Sequence, residues 1–235
     1  MNDIVLLHGA LGASRQLDPL ADALRPRFRV HQLDFEGHAD SPDRGRPYGV
    51  ESFGENVLEL LDMRGIVRAD IFGYSMGGYV AVHLAARHPD RVACVTSLGT
   101  KFRWDPATAA RESARLDPAV IRAKVPRFAE TLEARHARTG GWESVLSRTA
   151  AFLAALGDDP PLTDAMLAQI EQPVRIMVGE RDTTVSIEEA TEVAGRLRYG
   201  AVTVLADTPH PIEQVRVEAL VAALTGPMAN VPARV

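Results

Sequence analysis

Hydrophobic residues fall along the chain in six short runs: Ile4 to Leu7, Phe28 to Phe35, Ala69 to Tyr74, Val92 to Leu98, Val174 to Val178 and Ala201 to Leu205. Most are not interrupted by alternating polar positions, which is the pattern of strands covered on both faces. Segments with helical spacing separate them. Leu17, Leu20 and Leu24 fall at i, i+3 and i+7; Ser52 with Glu55 makes a capping-box pattern ahead of Val57, Leu60 and Leu61; Ser186 with Glu189 repeats it. Strand and helix in alternation predict an α/β fold, a mostly parallel central sheet of about six strands with helices on both faces.

The alternation breaks once. From 101 to 172 no strand-like run occurs, and four helical stretches follow one another between Pro106, Pro118, Gly140-Gly141 and Pro160-Pro161. The chain is therefore expected to divide into a core of residues 1–100 and 173–225, a helical cap of 101–172, and a frayed tail of 226–235 holding Gly226, Pro227 and Pro232. The insertion holds both tryptophans, Trp104 and Trp142, with Phe102, Phe128 and Phe152, although only 6% of the chain is aromatic. Each alone suits core packing, but together they predict an apolar lid over a site.

Charge and composition narrow the partners. Twenty-six Lys and Arg against 31 Asp and Glu leave a net charge of −5, which argues against nucleic acid as a partner. With 46% hydrophobic and 24% charged residues, a chain of 235 can bury a substantial core. The N-terminus lacks a basic segment and carries only four apolar residues, Ile4 to Leu7, before His8, unlike a signal peptide. No window approaches the roughly 18 apolar residues of a membrane span, so no membrane insertion is expected. The single cysteine, Cys94, lies in an apolar run and reads as a small buried hydrophobe in a reducing, cytoplasmic setting.

Chemistry concentrates where strands give way to loops. Gly73-Tyr74-Ser75-Met76-Gly77-Gly78 fits G-x-S-x-G and lies between a strand-like run and a helix-like one. Small residues beside Ser75 let a strand turn sharply into a helix and leave the hydroxyl at the tip. A serine nucleophile needs a base, and the base a third group to hold it. After the fifth run comes Gly179-Glu180-Arg181-Asp182, and after the sixth Asp207-Thr208-Pro209-His210, placing Asp182 and His210 in loops beyond strand ends. Asp207 rivals Asp182, but an acid on a different strand end suits the geometry better. The oxyanion donors expected are the amides of Met76 and Ala10, with Leu11 second to Ala10, in the turn His8-Gly9-Ala10-Leu11-Gly12. His31, His83, His88 and His136 read as structural residues, and none has metal-ligand spacing to cysteine or carboxylate, so no metal is expected.

Together with Asp34-Phe35-Glu36-Gly37-His38-Ala39-Asp40-Ser41, these motifs resemble the α/β-hydrolase fold superfamily from Ile4 to about Leu224. The resemblance implies a Ser75, Asp182, His210 triad without a cofactor, and an oxyanion turn shaped by His8 and Gly9. His8, Gly9, Leu11, Tyr74 and Trp104 are the substrate-binding residues expected, and Gly37, His38 and Ser41 border the pocket. The first strand matches the family's third, so the usual leading hairpin is absent. Ala39 replaces a glycine usual after the histidine, and Glu36 stands where the family varies. Ser75 argues against relatives that use an aspartate nucleophile. The expected activity is hydrolysis of a small to medium, mainly apolar carboxylic ester by a monomer or homodimer.

Two alternatives remain open at the level of sequence. Carbon-carbon hydrolases and lyases of the superfamily handle carboxylated substrates with arginines, and the insertion holds Arg103, Arg111, Arg115, Arg122, Arg127, Arg135, Arg138 and Arg148. Two of these pointing into the pocket would favour that reading; a ligand sensor with little turnover is the other.

Overall fold

Parity decides which side of the sheet each apolar residue serves. In β1 (Asn2–Leu7) Val5 and Leu7 join one buried cluster while Ile4 and Leu6 join another. The computed structural model describes residues 1–227, and its other strands are β2 (Phe28–Leu33), β3 (Ala69–Tyr74), β4 (Val92–Leu98), β5 (Val174–Gly179) and β6 (Gly200–Leu205). Among the described residues they form one sheet, ordered β2-β1-β3-β4-β5-β6, and every neighbouring pair is parallel. Helices α1 (Asp18–Leu24), α2 (Val50–Met63) and α3 (Met76–Arg87) fill the first half of the chain; α1 packs on the Ile4 and Leu6 face, and α2 and α3 on the opposite one.

Five helices stand between β4 and β5: α4 (Pro106–Ser113), α5 (Pro118–Lys124), α6 (Pro126–Arg135), α7 (Trp142–Asp158) and α8 (Asp164–Gln169). The expected four become five because Pro126 opens a helix of its own after Val125 leaves helical geometry (φ −139°, ψ 62°). Asp105, Asp117 and Thr163 cap α4, α5 and α8 with their side chains. Their apolar residues, among them Ile121, Leu132, Leu146 and Leu156, belong to the same buried cluster as Val5 and Leu7. The insertion thus packs directly on the body of the protein. Helix α9 (Ile187–Arg196) joins that cluster, and α10 (Val217–Thr225) packs with α1 on the other face.

Three details differ from expectation. The edge strands β2 and β6 are only partly covered, with Val204 44% exposed, because an edge strand has a neighbour on one side only. β2 stops at Leu33, and Phe35 turns inward to pack on His8. Ser52 does not cap its helix: α2 starts earlier, at Val50, and Ser52 Oγ reaches back to the amide of Gly49 at 3.0 Å. Glu55 is then free to pair with Arg46. Ser186 does cap α9, accepting from the Glu189 amide at 3.1 Å, but the Glu189 carboxylate turns away to the amides of Phe102 and Arg103. No described helix is long and apolar enough to cross a membrane. Of the expected tail, Gly226 and Pro227 give their carbonyls to Arg175, and residues 228–235 lie outside the described ones.

The chain runs outward from β1 to β2, then returns across β1 to place β3 on its other side. Where strand order reverses, the loops after β1 and β3 diverge and leave a crevice at the carboxyl ends, the usual binding place in open α/β sheets.

Candidate active site

Ser75 is the single residue between β3 and α3, with φ 53° and ψ −116°. Such a conformation costs a non-glycine residue about 1–3 kcal/mol and persists only when its surroundings impose it. Here they do. The Ser75 amide donates to Leu98 at 2.8 Å, and its carbonyl accepts from the Gly78 amide and from Thr100 Oγ1, both at 3.0 Å. The turn is also too tight for side chains on its flank: a Cβ on Gly73 would lie 2.3 Å from the Gly77 carbonyl oxygen.

Beyond β5, Asp182 is buried, its side chain 1% exposed. Oδ1 accepts from the amides of Thr184 (2.7 Å) and Val185 (3.0 Å), while Oδ2 faces His210 Nδ1 at 2.8 Å. Burial alone would raise the carboxyl, but the hydrogen bond and charge of His210 and the two amides outweigh it and hold Asp182 below the ordinary carboxylate value. Asp207 instead pairs with Arg181 at the surface, its side chain 85% exposed. Two contacts tie the pair to residues beside Ser75, although neither Asp182 nor His210 lines the cavity over it. Tyr74 donates its hydroxyl to the His210 carbonyl at 3.1 Å, with ring centres 5.5 Å apart. Gly99, next to the carbonyl that holds Ser75, is so close that a Cβ there would lie 3.2 Å from both Asp182 Oδ2 and His210 Nδ1.

On the opposite flank the turn after β1 is closed by Gly12 donating to the Gly9 carbonyl at 3.1 Å, with Leu11 at φ 58°. His8 Nδ1 donates to the same carbonyl at 2.8 Å, and its Nε2 accepts from the Phe35 amide at 3.1 Å. Burial lowers the His8 pKa to about 4, so the ring is neutral and in one tautomer. The peptide whose carbonyl is gripped twice is the one that carries the Ala10 N–H, which points the other way across a trans bond. His8 does not reach the cavity; it sets the plane of this donor.

A cavity of about 170 Å³ lies over Ser75. Ala10 and Met76 share its floor, Tyr79, Trp104 and Phe152 its walls, and Lys101, Glu112 and Arg115 supply charge. Lys101 stands 3.5 Å from Glu189, and Glu112 pairs with both Arg115 (2.9 Å) and Arg111 (3.4 Å). Arg115 alone of the insertion's arginines lines it. Arg103 pairs with Asp164 and Glu192, Arg122 with Glu143, Arg138 with Asp40, and Arg148 with Asp43. Among the described residues no cluster of His, Cys, Asp or Glu is placed to hold a metal ion.

A family model described as the alpha/beta hydrolase fold matches residues 3–164. The chain belongs to the alpha/beta hydrolase fold family. A pimeloyl-(acyl-carrier protein) methyl ester esterase of Neisseria meningitidis (serogroup A / serotype 4A) is 27% identical to this hydrolase over 225 residues, covering 88% of this chain and 70% of the relative. Lipase LipV of Mycobacterium tuberculosis is 31% identical over 165 residues, 70% of this chain and 55% of that one. The enol-lactonase of Burkholderia xenovorans superposes with a TM-score of 0.74 at 24% identity, over 96% of this chain and 92% of that one, a likeness of fold.

Of the site residues expected in this hydrolase, Ser75, Met76, Ala10 and Trp104 line the cavity. Gly9, Leu11 and Tyr74, like His8, stand behind it. Gly9 lets the turn approach Tyr74 and Ser75, since a Cβ there would meet the Tyr74 ring at 2.9 Å. The aromatic lid is smaller than composition suggested. Trp142 is buried beneath Arg122, Phe102 lies against Tyr79, and Phe128 is 42% exposed. One contact has no counterpart among the expected site residues. Arg135 Nη1 and His136 Nε2, from the insertion, both donate to the Leu11 carbonyl, at 2.8 and 3.0 Å. Arg135 ends α6 and His136 follows it, and no local pattern in the sequence marks either as reaching the turn after β1.

Proposed function

We propose that the hydrolase cleaves small to medium, mainly apolar carboxylic esters through an acyl-enzyme on Ser75. The observation that carries this reading is the imposed backbone of Ser75 beneath a mainly apolar cavity, with a part-exposed His210 backed by the buried Asp182 carboxylate against its neighbours. His210 takes the Ser75 proton as the hydroxyl attacks the carbonyl, and the amides of Ala10 and Met76 hold the oxyanion. His210 then gives that proton to the leaving alcohol. Water, deprotonated by the same ring, releases the acid. Residues 101–172 act as the cap that shapes the acyl site, over a core of 1–100 and 173–225.

The relatives named as a methyl ester esterase and a lipase support ester hydrolysis. The carboxylated-substrate alternative needed two arginines in the pocket; Arg115 alone is there, already paired with Glu112, which favours the apolar ester. The test is a screen of p-nitrophenyl esters from acetate to decanoate beside lactones and carboxylated diketones. Preference for a neutral acyl chain of about four to eight carbons is expected from a cavity of this size. Preference for carboxylated diketones would overturn it.

A further inference from the structure

Among the described residues four non-glycine ones hold left-handed backbone, namely Leu11, Ala39, Ser75 and Asp207, and one side chain from the insertion ties two of them. His136 Nδ1 accepts from the Ala39 amide at 3.0 Å while its Nε2 donates to the Leu11 carbonyl at 3.0 Å. Both nitrogens of the neutral ring are used, so it spans the loops after β1 and β2 in one orientation. Arg135 adds a second donor to the Leu11 carbonyl at 2.8 Å, with its side chain only 9% exposed. Withdrawing a guanidinium from water is costly unless it is hydrogen-bonded and paired. Its partners are this carbonyl and Glu213, 3.7 Å away and three residues past His210. Gln16 closes the circuit: its amide nitrogen donates to Glu213 at 2.5 Å and its oxygen accepts from the Ala13 amide at 2.8 Å.

These contacts converge on one turn. Leu11 directly follows Ala10, whose amide is the oxyanion donor in the function proposed above, and this inference rests on that reading. We propose that Arg135 and His136 are positioning residues for the oxyanion turn, so that seating the insertion and aiming the Ala10 amide are a single event. A donor in such a hole acts only if it points where charge develops, and a small misplacement weakens the transition state far more than the bound ester. The hydrolase therefore couples cap position to rate through the Leu11 carbonyl, with neither side chain lining the cavity.

The experiment uses the full chain. Arg135→Met keeps length and removes the donor; His136→Asn keeps an acceptor for Ala39 and loses the reach to Leu11. Each is expected to lower kcat for p-nitrophenyl acetate by roughly 10-fold, with KM little changed, and to weaken a trifluoromethyl ketone inhibitor by the same factor. His136→Gln, whose amide nitrogen reaches toward the Nε2 position, and Arg135→Lys restore part of both. Rates are taken per active site titrated to completion with a fluorophosphonate, so loss of folded protein does not register. Unchanged kcat and inhibitor affinity per titrated site in Arg135→Met would overturn the proposal even if His136→Asn fails to fold. Failure of the unsubstituted protein to label at Ser75 would instead overturn the underlying function.

Discussion

Histidines stand on both flanks of Ser75, and the two flanks use them in opposite ways. On the side of β1 and β2, His8, His38 and His136 are fully buried, with neighbouring ring centres 5.2 and 5.8 Å apart. His8 and His136 bond the backbone through both ring nitrogens; His38 bonds the Glu36 carbonyl through Nδ1 at 3.2 Å, while its buried Nε2 has no hydrogen-bond partner among the described residues. On the side of β5 and β6, His210 is a fifth exposed and faces a buried carboxylate. Burial with backbone partners suits a neutral strut, whereas a carboxylate behind and access in front suit the base proposed above. The residue type is the same, and its surroundings assign the work.

The largest effect expected from this contrast is on the base side. Asp182→Asn should lower kcat/KM for p-nitrophenyl esters by about 10⁴-fold, since the ring loses the partner that orients it and stabilises its charge. Asp207→Asn should leave the rate nearly unchanged; a comparable loss there would reassign the acid.

The strut side should show in stability. Burial lowers the His8 pKa to about 4 and drives that of His38 well below the ordinary imidazole value. The unfolded chain therefore binds protons that the folded one refuses between pH 6.5 and 4. Stability is full above the unfolded value and falls as pH drops through that window. Urea midpoints at pH 7.5, 5.5 and 4.5 should decline in that order, and a level series would show that these rings are not held neutral.

Smaller effects refine the comparison. Trp104→Ala should flatten the preference for longer acyl chains by about 10-fold in kcat/KM while leaving acetate almost unaffected, because only the longer chain reaches that wall. Ala39→Gly should raise the melting temperature by about 1–2 °C, relief of left-handed strain outweighing the extra freedom of the unfolded chain. A fall would mean the Ala39 methyl packs more than it strains.

Much of the base side was legible in the sequence. Strands buried on both faces leave unbroken apolar runs, and the residues just past them, Ser75, Asp182 and His210, stand out against that regularity. The choice of Asp182 over Asp207 followed from needing an acid on another strand end. The strut side was far less legible. His136 meets Leu11 across 125 positions, and no local period announces such a contact. Trp142 and Phe128 were expected near the cavity because composition counts aromatics without saying which helix face carries them. Ser52 was misplaced by one turn because its hydroxyl can satisfy a helix start from within as well as from the cap.

The central claim, that Ser75 is the nucleophile served by His210 and Asp182, is tested most directly by intact-protein mass spectrometry and peptide mapping after fluorophosphonate treatment. One adduct is predicted, on Ser75, absent from Ser75→Ala and formed far more slowly in Asp182→Asn. An adduct on another residue, or full ester turnover by Ser75→Ala, would contradict it.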